Sequence, residues 1–190
     1  NSTSAALQQA TIGDITGNFI GNYVSAPRAH AYGGAIYNYG ARGSTVSIGT
    51  ISGSFIGNYV EGSTMAVGGA IYSSSDITIA SRGKQIQFSG NYALTDGARE
   101  NNAIFMDTGI NETVLTFDVS EGGDILFLDQ IDGGAVNFTG ATVNYNEQYS
   151  INLKGNGAGD GKGNILFADK VNNVSSVTAD NANLLLGSYD

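Results

Sequence analysis

Few side chains in this sequence could do chemistry. His30 is the only histidine and there is no cysteine among the 190 residues, so zinc sites built from His and Cys are excluded by counting, as are thiol catalysis and a disulfide scaffold. A Ser-His-Asp arrangement would have to use His30, and would need a nucleophile and an orienting acid that a sequence does not place. Calcium needs several oxygen ligands converging on one point. Gly155-Asn156-Gly157-Ala158-Gly159-Asp160-Gly161 looks like a glycine-aspartate turn of a calcium-binding β-roll, but such turns work as tandem repeats and this is a single copy. Asp124, Asp129, Asp132 and Asp160 are scattered carboxylates that leave a weak cation site open without defining one. No catalytic, metal or cofactor-binding residue is assigned, and no cofactor is expected. What remains is a set of polar and aromatic side chains able to touch a ligand: Arg28, His30 and Tyr32 in residues 25–32, and Arg99 and Glu100 in residues 94–100.

Charge narrows the partners. Seventeen acidic residues against eight basic ones give a net charge of −9, which argues against nucleic acid, where binding to phosphates needs clustered Lys and Arg. No apolar run approaches the 18 or so residues of a membrane-spanning helix, and there is no basic segment followed by an apolar one that would mark a signal peptide. The chain opens with Asn1 rather than Met, and the expectation is a piece of something longer. With 28 glycines lacking a three-residue period, and 41% hydrophobic residues, it is neither collagen nor an unfolded tail.

The elements that position the candidate residues come from a repeat. Ile15-Thr16-Gly17-Asn18-Phe19-Ile20-Gly21-Asn22-Tyr23-Val24 recurs 36 residues later as Ile51-Ser52-Gly53-Ser54-Phe55-Ile56-Gly57-Asn58-Tyr59-Val60, and again as Phe88-Ser89-Gly90-Asn91-Tyr92-Ala93. A second motif interleaves with it: Gly33-Gly34-Ala35-Ile36-Tyr37, then Gly68-Gly69-Ala70-Ile71-Tyr72, then the worn copy Asn101-Asn102-Ala103-Ile104-Phe105. Helical repeats would need apolar residues at i, i+3, i+4 and i+7 and would tolerate few glycines. Instead, short segments rich in Ile, Val, Phe, Tyr and Thr are punctuated by Gly, Asn, Ser and Asp.

Short strands at near-constant spacing, with like residues over like, predict an all-β fold, a parallel β-helix. The distance from Phe19 to Ile36 is 17 residues and the following steps are similar, so each half-unit is expected to be one coil and the chain to make about ten. Stacking would align Phe19, Phe55 and Phe88 inside the solenoid, and Ile36, Ile71 and Ile104 likewise. Asn22, Asn58 and Asn91 suit turns whose amides bond from coil to coil. Gly33, Gly34, Gly68 and Gly69 suit positive φ or close backbone approach. Tyr23, Tyr59 and Tyr92 recur in register, which favours structural stacking first and sugar stacking second. Past residue 107 the motifs fade but strand-like segments continue at Val114-Leu115-Thr116-Phe117, Asp124-Ile125-Leu126-Phe127, Ala135-Val136-Asn137-Phe138, Thr142-Val143-Asn144-Tyr145, Ile151-Asn152-Leu153 and Asn164-Ile165-Leu166-Phe167. One domain over residues 1–190 is expected, with regular repeats at 12–107 and degenerate coils at 108–190.

The Phe-x-x-Asn motif at 19–22, 55–58 and 88–91, alternating with Gly-Gly-Ala-Ile at 33–36 and 68–71, resembles the repeats of chlamydial polymorphic membrane proteins, a group of autotransporter adhesins. The resemblance implies a right-handed β-helical passenger, carried to the bacterial cell surface or outer membrane, or secreted, by a C-terminal barrel outside this chain. It further implies display for attachment to host cells, and the reading adopted is a non-catalytic adhesin for a host-cell receptor, mucosal glycans or other bacteria; open solenoid ends expose unpaired strand edges, so self-association is expected too. That family usually contains cysteine, which is absent here, and the third Gly-Gly pair is replaced by Asn101-Asn102. Two other readings stand beside it. β-Helices also carry polysaccharide-cleaving enzymes, which use paired acids across a groove, and the acids here are scattered. An inert stalk presenting another domain fits the same repeats. In a solenoid the segments that differ between copies collect on one face, which is why residues 25–32, 61–67 and 94–100 are the expected ligand-contacting loops.

Overall fold

A computed structural model describes residues 9–41, 44–100, 103–107, 113–118, 124–127, 149–154, 164–167, 174–180 and 183–186. Among the described residues every element is a strand. The strands form six open sheets with no closed barrel. Segments 135–138, 142–145 and 155–161, and residues Asp129, Asp132, Asn101 and Asn102, lie outside the described residues.

Two sheets of six strands run through the fold. One contains Ile15–Thr16, Thr50–Ser52, Ile77–Ala80, Val114–Asp118, Tyr149–Lys154 and Val174–Asp180; the other contains Phe19–Ile20, Phe55–Ile56, Gln85–Ser89, Asp124–Phe127, Asn164–Phe167 and Asn183–Leu186. Their pairings are parallel and in motif register: Phe19 lies opposite Phe55, Phe55 opposite Phe88, and Ile125 opposite Ile165. A third sheet holds Tyr23–Ala26, Tyr59–Gly62 and Tyr92–Thr95, a fourth pairs His30–Tyr32 with Met65–Val67, and a fifth holds Ile36–Asn38, Ile71–Ser73 and Ile104–Met106. Gln9–Ile12 pairs with Thr45–Ile48 in the sixth.

Following the chain from Thr50 through Phe55, Tyr59, Met65 and Ile71 to Ile77 visits five sheets before returning to the first. The circuit is therefore the whole two-part unit: Ile15 pairs with Ile51 and Tyr23 with Tyr59, both 36 residues on, and Ile71 pairs with Ile104, 33 residues on. This corrects the expected coil length. The Phe-x-x-Asn and Gly-Gly-Ala-Ile motifs sit on different sheets of one circuit, and each of the two longest sheets stacks six strands, fewer than the ten coils expected. Strands of only two to five residues through the repeat region, turned by glycine and asparagine, fit five to a circuit.

The motifs supply the core. Ile36, Ile51, Phe55, Ile71, Ile79, Phe88, Ile104 and Phe117 pack in one buried cluster, so ladders from different sheets point into a common interior. Phe55 is stacked between Phe19 at 4.6 Å and Phe88 at 4.8 Å, nearly parallel to both. A column of asparagines closes one corner. Asn22 donates from its backbone N–H and its amide to Asn58 Oδ1, and Asn58 does the same to Asn91 Oδ1 at 3.0 and 2.8 Å. The Asn58 and Asn91 amides also reach the carbonyls of Phe19 and Phe55. Asn58 and Asn91 are fully buried, and these bonds offset the desolvation that an unpaired buried amide would cost.

Candidate functional site

The Gly-Gly pair makes the site by bending the chain. Gly33 and Gly68 take φ of +58° and +70°, where a side chain is strained. A Cβ on Gly34 would lie 2.1 Å from the Gly69 carbonyl oxygen of the next circuit. This tight corner turns the strand His30–Tyr32 into Ile36–Asn38, so that the outward side chains of two adjacent sheets meet across a concave angle. Along each strand the alternation is strict enough to assign faces. Ala31, Ile36 and Asn38 are buried, while His30, Tyr37 and Tyr39 are exposed and Tyr32 is half-buried.

The result is an open cleft of about 380 Å³ lined by Tyr32, Tyr37, Tyr39, Met65, Tyr72, Phe105 and Asp107. Tyr37, Tyr72 and Phe105 are register partners on three adjacent strands. Tyr72 stacks on Phe105 at 5.3 Å and tilts against Tyr37 at 5.1 Å, while Tyr32 meets Tyr72 edge-on at 5.1 Å. Tyr37 and Tyr39, two residues apart on the same side of the chain, hold their rings nearly parallel at 5.9 Å. His30 Nδ1 and the Tyr32 hydroxyl are hydrogen-bonded at 2.8 Å.

The Asp107 carboxylate serves this aromatic cluster. The Tyr72 hydroxyl donates to Asp107 Oδ2. Burial first, and this hydrogen bond second, push the Tyr72 phenol well above the usual tyrosine range. The Tyr37 phenol is also raised, by burial and then by its neighbours Tyr39, Tyr32 and Asp107. Among the described residues, the cleft is therefore lined by aromatic faces, phenol hydroxyls, the Met65 side chain and the Asp107 carboxylate. Among the described residues, no group of three His, Asp or Glu side chains is placed to hold a metal ion.

No family model, curated protein or solved structure significantly matches the chain.

The five candidate contact residues divide. Tyr32 lines the cleft and His30 is bonded to it. Arg28 stands exposed in the turn between Tyr23–Ala26 and His30–Tyr32 and does not line it. Arg99 lies on another sheet, its guanidinium 4.2 Å from the centre of the Tyr92 ring, at one end of the stacked column Tyr23, Tyr59 and Tyr92. The backbone of Glu100 pairs opposite Ala93. The segments expected to be loops are largely strands. His30 lies opposite Met65 in a parallel pair, and Ala98–Glu100 folds back antiparallel on Tyr92–Thr95. Asp96 and Gly97 make that hairpin, both with positive φ, the pattern for which an Asp-Gly pair is the standard sequence signal.

Sequence reasoning missed Tyr37, Tyr39, Tyr72, Phe105 and Asp107 as site residues. The signal was in the second motif, where the residue after the core isoleucine is aromatic in all three copies: Tyr37, Tyr72 and Phe105. Alternation along a strand sends that residue outward whenever the isoleucine points in.

Proposed function

We propose that this chain is a segment of a right-handed parallel β-helix from a bacterial autotransporter passenger, displayed at the cell surface as a non-catalytic adhesin. The observation that carries the reading is the stack itself. Phe-x-x-Asn lies over Phe-x-x-Asn and Gly-Gly-Ala-Ile over Gly-Gly-Ala-Ile in parallel register, the arrangement a repeating passenger requires, while the outward side chains of the same strands gather into an exposed aromatic cleft. A scaffold whose inward residues repeat while residues 25–32, 61–67 and 94–100 differ from circuit to circuit is suited to presenting contact surfaces. The excess of acidic residues turns it away from nucleic acid and polyanions.

The reading is tested by measuring attachment of the 190-residue chain to epithelial cells and to bacteria, with the supernatant assayed for released sugar. Saturable attachment without release is expected. It should fall several-fold when His30 and Tyr32 are both changed to Ser, a substitution that leaves the buried Ala31 between them in place. Released oligosaccharide would replace this reading with a glycan-cleaving enzyme, and absence of attachment to either cell type would replace it with a structural stalk.

A further inference from the structure

We infer that Tyr23 and Tyr59 form an oxidative modification site, at which a haem peroxidase and hydrogen peroxide join the two rings through a carbon–carbon bond ortho to their hydroxyls, a dityrosine that staples two successive circuits together. The bond depends on the stack and not on what the chain attaches to.

Spacing comes first. Tyr23 and Tyr59 are register partners on neighbouring parallel strands, and their ring centres lie 5.2 Å apart with the planes 8° from parallel. Shared register and near-parallel planes set like ring atoms over like, so the ortho carbons of one ring face those of the other. Freedom to move comes second. A stacked pair becomes a bonded pair when one ring swings edge-on to its neighbour. Tyr23 is 62% exposed and has that room, while Tyr59 is held between Tyr23 and Tyr92.

The other tyrosine pairs meet one condition without the other. Tyr92 stacks on Tyr59 at 5.0 Å, but the Arg99 guanidinium lies 4.2 Å from the Tyr92 ring centre, on the strand that pairs along the edge away from Tyr59. Neither ring of that pair is free to swing. Tyr37 approaches Tyr72 to 5.1 Å, but Tyr72 is only 5% exposed and Phe105 stacks on it. Tyr37 and Tyr39 are both exposed but stand 5.9 Å apart on one stretch of chain, where a link would join no two circuits.

Each phenol gives one electron and its hydroxyl proton to the oxidised haem, and the two phenoxyl radicals couple at their ortho carbons. Each ring then passes the hydrogen of its newly bonded carbon to its oxygen, which restores both phenols. The pair loses two hydrogen atoms in all, and one hydrogen peroxide is reduced to two waters. Tyr23 and Tyr59 are 36 residues apart along the chain, so the link constrains the unfolded state as a disulfide would, and the linked stack resists unfolding.

The test treats the dilute 190-residue chain with a haem peroxidase and less than one equivalent of hydrogen peroxide, isolates the product of monomer mass and maps it after trypsin. Cleavage after Arg28, Arg42, Arg82, Lys84 and Arg99 leaves Tyr23 alone in 1–28, Tyr32, Tyr37 and Tyr39 in 29–42, Tyr59 and Tyr72 in 43–82, and Tyr92 in 85–99. The expected product is 1–28 joined to 43–82, with two hydrogen atoms lost and the fluorescence of dityrosine. Tyr23→Phe and Tyr59→Phe should each abolish it, because phenylalanine keeps the stack but forms no phenoxyl radical, and Tyr72→Phe should leave its yield unchanged. The linked chain should unfold at a urea midpoint higher by roughly 1 M or more. A main product joining any other pair of peptides, dityrosine found only in dimers, an unchanged yield in Tyr59→Phe, or an unchanged urea midpoint would each overturn the inference.

Discussion

Replacing Phe55 with Ala probes the phenylalanine column that holds the circuits in register. Phe55 is completely buried and its ring stacks on Phe19 at 4.6 Å and on Phe88 at 4.8 Å. Truncating a buried Phe to Ala costs about 3–5 kcal/mol through lost transfer energy and the cavity left behind. Two ring pairs at about 0.5–1.5 kcal/mol each put this site at the upper end, near ~5 kcal/mol. Phe19 is the internal control. It is half-buried and has one stacked neighbour in the column, so Phe19→Ala should cost about 1–2 kcal/mol. Urea titration followed by far-UV dichroism measures the gap. At a slope of about 1–3 kcal/mol per molar urea, a difference of ~3 kcal/mol separates the two midpoints by roughly 1 M or more. Equal midpoints, or a Phe55→Ala midpoint matching the parent, would refute the stacked column as the source of stability.

Two further outcomes follow from the corner and the cleft. Gly34→Ala forces a Cβ to 2.1 Å from the Gly69 carbonyl oxygen and 2.7 Å from that of Tyr59; because both obstacles are backbone, it should cost about 1–3 kcal/mol in thermal unfolding, whereas Gly13→Ala, with nothing within 4 Å, should be near neutral. Tyr72 sets an alkaline limit, since its pKa is raised in the folded state by burial and by its bond to Asp107. The resulting stability is fully present below the unfolded tyrosine value near 10 and is lost as pH rises above it, because the unfolded chain releases a proton that the folded one keeps. Stability should therefore fall above pH ~10 less steeply in Tyr72→Phe than in the parent, by up to about 1.4 kcal/mol per pH unit, and equal slopes in a pH series of urea melts would count against a buried, protonated Tyr72.

The fold was legible where the sequence repeats because parallel pairing in register converts an offset along the chain into a neighbour in space. Phe19, Phe55 and Phe88, or Asn22, Asn58 and Asn91, could be stacked from their positions alone. The circuit length was not legible from the same data. Phe55 and Ile71 both point into one core from different sheets, and a spacing of about 17 residues between apolar positions reads the same whether the chain has gone around once or halfway. Pairing partners decide it, and those are long-range. The cleft was hidden for a related reason. Tyr37 and Tyr72 sit beside core isoleucines and read as ordinary strand residues until the corner at Gly33-Gly34 folds their sheet against the one carrying Tyr32. Tyr39 and Asp107 follow the ends of their strands, where no repeat marks them. The Asp96-Gly97 hairpin carried a readable signal, but the surrounding variation between copies had made the segment look like a loop.

The asparagine column has a direction. Within the repeat, Asn22 gives its backbone and amide N–H groups to the Asn58 oxygen of the circuit that follows, and Asn58 gives its own to Asn91, so the two faces of the Asn58 circuit complement each other. A gene segment encoding one circuit could then be duplicated or deleted by recombination, and the new junction would meet the same donors and acceptors as the old. Length becomes a heritable variable separable from folding chemistry, and each added circuit brings a fresh set of outward residues on which selection can act.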